Sequence, residues 1–322
     1  MLSITLFGSV RFELQVSGKM QPLRLSPRCA ELLAFLGIHK GQSFLRRDLV
    51  EAIWNEQATG TAIGSINTAL WRLRKSLETS DFPTGEYLVS DRRGVSLNGS
   101  GPVEVDTARF ESRARQELVK AASKTTEADC TALQQLTLLY RDRPLAGFSS
   151  TWALRCREML RITYVDILER LMTWHGQNGK YADAIAYARR ILDMDPLRED
   201  VHGALMRYFA LNGQRTLALR QFETCRSLLQ RELAIPPLPK IIALYREIAR
   251  DSFRAHVATP PLLPNGDVEA QWPESQIGER DLRPPTGAAR ETPVRELRML
   301  RERIAEFDRH LHAMESNFAR EK

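Results

Sequence analysis

Asn178-Gly179 recurs as Asn212-Gly213, thirty-four residues further along, and this recurrence restricts the fold more than any other feature of the chain. At the same offset Leu171 answers Leu205, Met172 answers Met206, Ala184 answers Ala218 and Ile185 answers Leu219. An Asn-Gly step between segments of helical apolar spacing marks one helix ending and the next beginning. A unit of this length cannot bury its apolar side alone, so neighbouring units must stack into a row of helix pairs. Pro196, in DMDPLRED, stands where one unit closes, although Gln230 stands where a second closing proline is expected. From about Val103 to Ser252 the chain reads as helical throughout, with Leu154 to Gln177 and Leu217 to Leu233 among the helices.

The first hundred residues follow another rhythm. Ser3 to Phe7, Val10 to Val16 and Leu23 to Leu25 read as short strands, separated by Gly8 and the Ser17-Gly18-Lys19 turn. Ser26-Pro27 opens a helix, as a cap residue followed by proline in the first turn. A second helix follows Phe44 and Leu45, with Leu49, Ala52, Ile53 and Trp54 on its core side. The third, GTAIGSINTALWRLRKSL from Gly60 to Leu77, has two different faces. Ile66, Ala69, Leu70, Leu73 and Leu77 make one apolar stripe. The opposite stripe holds Gly64, Thr68, Trp71, Arg72 and Lys75, with Arg74 on the flank, and carries no acid. EYLVSDRRGVSL then reads as a hairpin with Arg92 and Arg93 at its tip.

A helix anchored on one side and cationic on the other, beside a basic hairpin, suits a winged helix that lays its third helix in a DNA major groove. Thr68, Trp71, Arg72 and Lys75 are the candidates for reading bases. Arg46, Arg47, Arg74, Arg92 and Arg93 are placed for phosphates. The alternative is an ordinary amphipathic helix with a solvated polar face.

The balance of 46 Lys and Arg against 40 Asp and Glu, a formal net charge of +6, permits a nucleic-acid partner without requiring one. No apolar run approaches the roughly 18 residues of a membrane span, so no membrane association is expected. MLSITLFGSVRFELQV lacks a basic start and alternates like a strand, which argues against a secretory leader. Cys29, Cys130, Cys156 and Cys225 are scattered and form no CxxC pair, which suits buried thiols in a reducing cytoplasm and disfavours zinc. The six histidines stand apart from any Ser, Asp or Cys pattern, and HExxH, GxSxG and GxxxxGK[ST] do not occur. No catalytic residue, metal or cofactor is therefore expected, and the chain reads as a non-enzyme.

Beyond the repeat, prolines cluster from Pro260 to Pro293 and periodicity disappears, the composition of a disordered linker over residues 253–293. Leu297, Leu300, Ile304, Phe307, Leu311, Met314 and Phe318 then step alternately by three and four, which predicts an amphipathic, coiled-coil-like helix over 294–320. That seam suits homodimerisation, docking on the repeat, or capture of a foreign helix.

The residues meet a known family at several long runs. LLAFLGIHKGQSFLRRDLVEAIW (32–54) and INTALWRLRKSL (66–77) resemble the winged-helix DNA-binding domain of OmpR-type regulators. VEVDTARFE (103–111), LYRDRPLAGF (139–148), the stretch from Ala188 to Pro237 and LYREI (244–248) resemble the bacterial transcriptional activator domain, whose helices are tetratricopeptide-like. In this order they are the arrangement of SARP/AfsR-like transcriptional regulators. The resemblance implies a mainly α chain: a winged helix over 1–100 (short β-sheet, three helices, hairpin wing), then a TPR-like solenoid over 103–252. It further implies promoter DNA as partner, contact with RNA polymerase holoenzyme through the loop holding Glu56, Gln57 and Thr59, activation as the usual outcome, and a cytoplasmic, nucleoid-associated protein. Two departures stand out: Gly94-Val95-Ser96-Leu97 replaces the usual Gly-Tyr-Arg-Leu-like run, and Trp71 occupies a position more often small or polar. Trp71 there either stacks on a sugar or a thymine methyl, or packs against the wing. Trp152, Trp174, Tyr181 and Tyr208 either line a concave surface of the repeat or serve its core. The competing reading of the whole chain is a repeat-type protein–protein adaptor without sequence-specific DNA binding.

Overall fold

The structure is a computed structural model that describes residues 1–54, 60–78, 85–91, 94–141 and 143–250. The expected linker, the C-terminal helix, the wing tip with Arg92 and Arg93, and the loop with Glu56, Gln57 and Thr59 lie outside the described residues.

Strands β1 (Leu2–Thr5), β2 (Arg11–Val16) and β3 (Lys19–Pro22) form an antiparallel meander. The β2–β3 turn is Ser17-Gly18, with φ of 50° and 79°. Two successive positive φ values match the twist of a two-residue hairpin, so the turn fixes the register. Val16 therefore faces Lys19 and the third strand ends at Pro22. Leu23 to Leu25, expected as that strand, falls beyond it and contributes half-buried side chains to the core. The first strand likewise stops at Thr5, short of Phe7.

Three helices follow: α1 (Pro27–Ile38), α2 (Arg46–Trp54) and α3 (Gly60–Leu77). Ser26 occupies the N-cap of α1 without making a side-chain capping bond, and Pro27 supplies the pre-set first turn. Strands β4 (Leu88–Ser90) and β5 (Val95–Leu97) form the hairpin, pairing Leu88 with Leu97 and Ser90 with Val95. The chain then returns to the first sheet. Strand β6 (Val103–Val105) lies parallel to β1, giving the order β3-β2-β1-β6. The expectation of helix throughout from Val103 thus fails at its first three residues, because a buried–exposed–buried triplet beside β1 finds its backbone partners there.

Helices α4 (Asp106–Leu118), α5 (Glu127–Leu139), α6 (Thr151–Gln177), α7 (Tyr181–Met194), α8 (Glu199–Leu211), α9 (Arg215–Leu233) and α10 (Pro239–Ala249) complete the described residues, with one 3-10 turn at Ala122–Lys124. The thirty-four-residue repeat corresponds to α6–α7 and α8–α9. Gly179 and Gly213 take φ of 71° and 73°, and each turn closes with the same long bond: Lys180 N–H to His175 O at 2.9 Å, Gln214 N–H to Phe209 O at 2.7 Å. A left-handed glycine followed by such a bond satisfies the last carbonyls of the preceding helix. Leu171, Leu205, Met172, Met206, Ala184 and Ala218 are all buried, so the repeat is a repeat of packing.

The helix-and-wing module and the helical module share their cores. Phe7 leaves the first sheet and packs between Phe110 of α4 and Tyr140, with ring centroids 5.3 and 5.4 Å away. In return Leu145, Trp152 and Ala153 enter the core built by α1, α2 and α3. Leu145 N–H donates to Leu6 O at 2.7 Å. The Asp106 carboxylate accepts from Leu6 N–H at 2.9 Å and Phe7 N–H at 3.0 Å, taking over where the β1 ladder stops. Leu145 holds a left-handed φ of 56°, and the Arg157 guanidinium steadies its loop through the carbonyls of Pro144, Leu145 and Phe148. By compactness the chain divides into Met1–Cys225 with Pro237–Pro261, and Arg226–Pro236 with Leu262–Lys322. The contacts that join the helix-and-wing module to α4 and α6 lie within the first of these units.

Candidate nucleic-acid interface

Helix α3 forms because its apolar residues fall on one side. Ile66, Leu73 and Leu77 are fully buried, and Ala69 and Leu70 nearly so. On the other side Gly64, Thr68, Trp71, Arg72 and Lys75 are all exposed, Trp71 by 61%. Arg72 and Lys75 are open to solvent, as the sequence reading requires. The Lys75 ammonium lies 5.4 Å from the centre of the Trp71 ring, a cation–π arrangement one turn apart. Thr68 donates its hydroxyl to Gly64 O at 3.0 Å and is satisfied within the helix. Arg74 and Lys75 also complement the C-terminal end of the helix dipole, so they serve the helix as well as its surface.

The expected phosphate positions divide. Arg47 is exposed and pairs with its neighbour Asp48 at 3.2 Å, an arrangement that water readily competes away. Arg74 is half-buried, with its Nε enclosed. Arg46 is engaged: its Nε donates to Asn67 Oδ1 of α3 at 3.1 Å and its Nη2 to Ser90 Oγ of β4 at 2.7 Å. One side chain therefore ties α2, α3 and the wing strand together and sets the angle between helix and wing. Nothing in the local pattern around Arg46 marks Asn67 or Ser90 as its partners. The wing is tied from beneath by Phe44, which exchanges backbone bonds with Val95 at 3.0 and 2.8 Å.

The aromatic residues of the repeat serve packing. Trp152 is buried, and Trp174 is half-buried with its Nε1–H on Thr125 O at 3.1 Å. Tyr181 and Tyr208 stack at 6.5 Å, and Gly176 leaves the room that the Tyr208 ring fills. Cys29, Cys130 and Cys225 are buried and Cys156 half-buried, all as free thiols. Among the described residues no group of His, Cys, Asp and Glu is arranged to hold a metal ion, and no helix is long and apolar enough to cross a membrane.

A helix-and-wing module with an open cationic helix, joined through a shared core to stacked helix pairs, defines a class: a regulator that couples a winged-helix DNA-binding domain to a helical activator-type domain. Residues 20–95 match the family described as transcriptional regulatory protein, C terminal, and residues 105–249 the bacterial transcriptional activator domain. The chain belongs to the SARP/AfsR-like transcriptional regulators, which carry these two domains in this order. It is 28% identical over 228 residues to the regulatory protein AfsR of Streptomyces coelicolor, covering 69% of this chain and 22% of AfsR, so it spans about a fifth of that relative. It is 25% identical over 305 residues to the transcriptional regulatory protein MoaR1 of Mycobacterium tuberculosis, covering 88% of this chain and 94% of MoaR1. Its fold matches Mycobacterium tuberculosis EmbR, solved in complex with a low affinity phosphopeptide, with a TM-score of 0.65 at 21% identity over 78% of this chain and 65% of EmbR.

Proposed function

We propose that the chain is a sequence-specific DNA-binding transcriptional activator that inserts α3 in the major groove and lays the wing alongside. The observation that carries this reading is the open stripe of Thr68, Trp71, Arg72 and Lys75 on a helix with no carboxylate of its own. Arg72 and Lys75 read base edges, for which a cation on guanine O6 and N7 is the commonest specific contact. Arg47 and Arg74, with Arg92 and Arg93 of the wing, neutralise phosphates. Arg46 acts chiefly by holding helix and wing at a fixed angle. The loop with Glu56, Gln57 and Thr59 meets RNA polymerase holoenzyme, as the family resemblance implies. The TPR-like module mediates protein contact, and the C-terminal helix supports a homodimer in the cytoplasm.

The test selects a motif from a random-sequence duplex pool with the wild-type chain. Binding of that duplex and of a scrambled one is then measured over a salt series. Arg72→Ala is expected to weaken the selected duplex at least about fivefold more than the scrambled one. Arg47→Ala is expected to weaken both alike and to flatten the salt slope by about one unit. Wild-type discrimination retained by Arg72→Ala overturns the face assignment. Absence of salt-dependent duplex binding replaces the whole reading with the adaptor.

A further inference from the structure

Trp71 is the most exposed aromatic side chain among the described residues, with 61% of its surface open to solvent. It lies on the outer stripe of α3, one turn from Lys75 and beside Arg72, facing away from Ile66, Leu70 and Leu73. The Lys75 ammonium at 5.4 Å holds the indole without covering it. Gly64, on the same stripe two turns earlier, has open space where a Cβ would project, so internal packing does not call for a glycine. A glycine in a helix interior weakens the helix, and its use here fits a backbone that approaches another surface closely. Gly64 and Trp71 together describe a stripe that is recessed at one end and apolar at the centre, with cations around it.

We infer that Trp71 is a specificity-determining residue that reads the C5-methyl group of a thymine in the major groove. The inference rests on the DNA-reading proposed above. The floor of the major groove presents hydrogen-bond donors and acceptors at every base pair, but a single apolar feature, the thymine methyl. An indole has one N–H donor on a large apolar surface, so it discriminates there by contact with that methyl. The neighbouring cations supply the attraction to phosphates that brings the indole against the bases.

The experiment uses the full-length chain and the duplex selected by the wild type. Each thymine of the motif is replaced in turn by deoxyuridine, which removes the methyl and keeps the pairing. Wild-type binding is expected to fall about fourfold at one position, the worth of one buried methyl group. Trp71→Ala is expected to bind the parent duplex more weakly and to be indifferent to that replacement, with Trp71→Phe intermediate. At the same position 5-methylcytosine, paired with guanine, is expected to bind the wild type better than cytosine does. The exposed site leaves folding untouched, which an unchanged thermal melt verifies. Insensitivity of the wild type to every thymine replacement overturns the inference, as does a Trp71→Ala variant with wild-type sensitivity. A pool from which the wild type enriches no motif overturns the DNA-reading itself, a separate outcome.

Discussion

Trp152 of α6 stands edge-on to Phe35 of α1, with ring centroids 5.3 Å apart and planes at 90°. Phe148 flanks the same indole at 6.0 Å. Edge-to-face pairs add to the large apolar area that aromatic rings bury. A residue of the helical module thus belongs to the core of the helix-and-wing module. Trp152→Ala is expected to cost about 3–5 kcal/mol. Since the cores interlock, Met1–Cys225 is expected to unfold in one transition, with tryptophan fluorescence and far-ultraviolet circular dichroism coincident in urea. Two separated transitions in the wild type would contradict this.

The Asp106 carboxylate accepts from the Leu6 and Phe7 N–H groups and from Thr107 N–H at 2.7 Å. Asp106→Ala leaves buried backbone donors without an acceptor and is expected to cost roughly 2 kcal/mol. Asp106→Asn, which keeps one acceptor oxygen, is expected to lose less. Urea midpoints of the two variants check the order.

Gly64→Ala is expected to move stability and binding in opposite directions. Replacing a helix-interior glycine by alanine in open space raises stability by up to about 1 kcal/mol. Close approach to duplex DNA is meanwhile obstructed. A higher melting temperature with weaker duplex binding is the expected pair, and unchanged binding would show that the recess is not used.

His202 is buried; its Nε2–H donates to Pro196 O at 2.9 Å and its Nδ1 accepts from the Gln221 amide at 2.6 Å. A second proton would face that amide donor. Burial lowers its pKa, outweighing Glu199, Asp200 and the Pro196 carbonyl, and burial likewise lowers that of His175 against the pull of Asp183. The unfolded chain therefore takes up protons first as pH falls. Stability is full above the ordinary histidine value of 6.5 and is lost as pH drops from there through the folded-state values. Urea melts at successive pH values should show that decline, and a His202→Gln variant should show a shallower one.

Local pattern made the two architectures legible. The spacing of Ile66, Leu70, Leu73 and Leu77 told the buried side of α3 from the exposed one, because a helix turns 100° per residue whatever surrounds it. The recurrence of Asn-Gly told where helices reverse, because a left-handed backbone favours glycine wherever it occurs. The end of β3 at Pro22 was less legible, since a two-residue turn at Ser17-Gly18 overrode the apolar signal of Leu23 and Leu25.

By itself, then, the sequence determined the helices of both modules, their apolar faces and the cationic side of α3. Tertiary structure alone decided that β6 pairs with β1, that Phe7 and Trp152 exchange cores, and that Arg46 joins Asn67 to Ser90. The reason is physical: periodicity records what each residue needs from its immediate neighbours in the chain. Which distant surface satisfies that need depends on how all the elements fill space together.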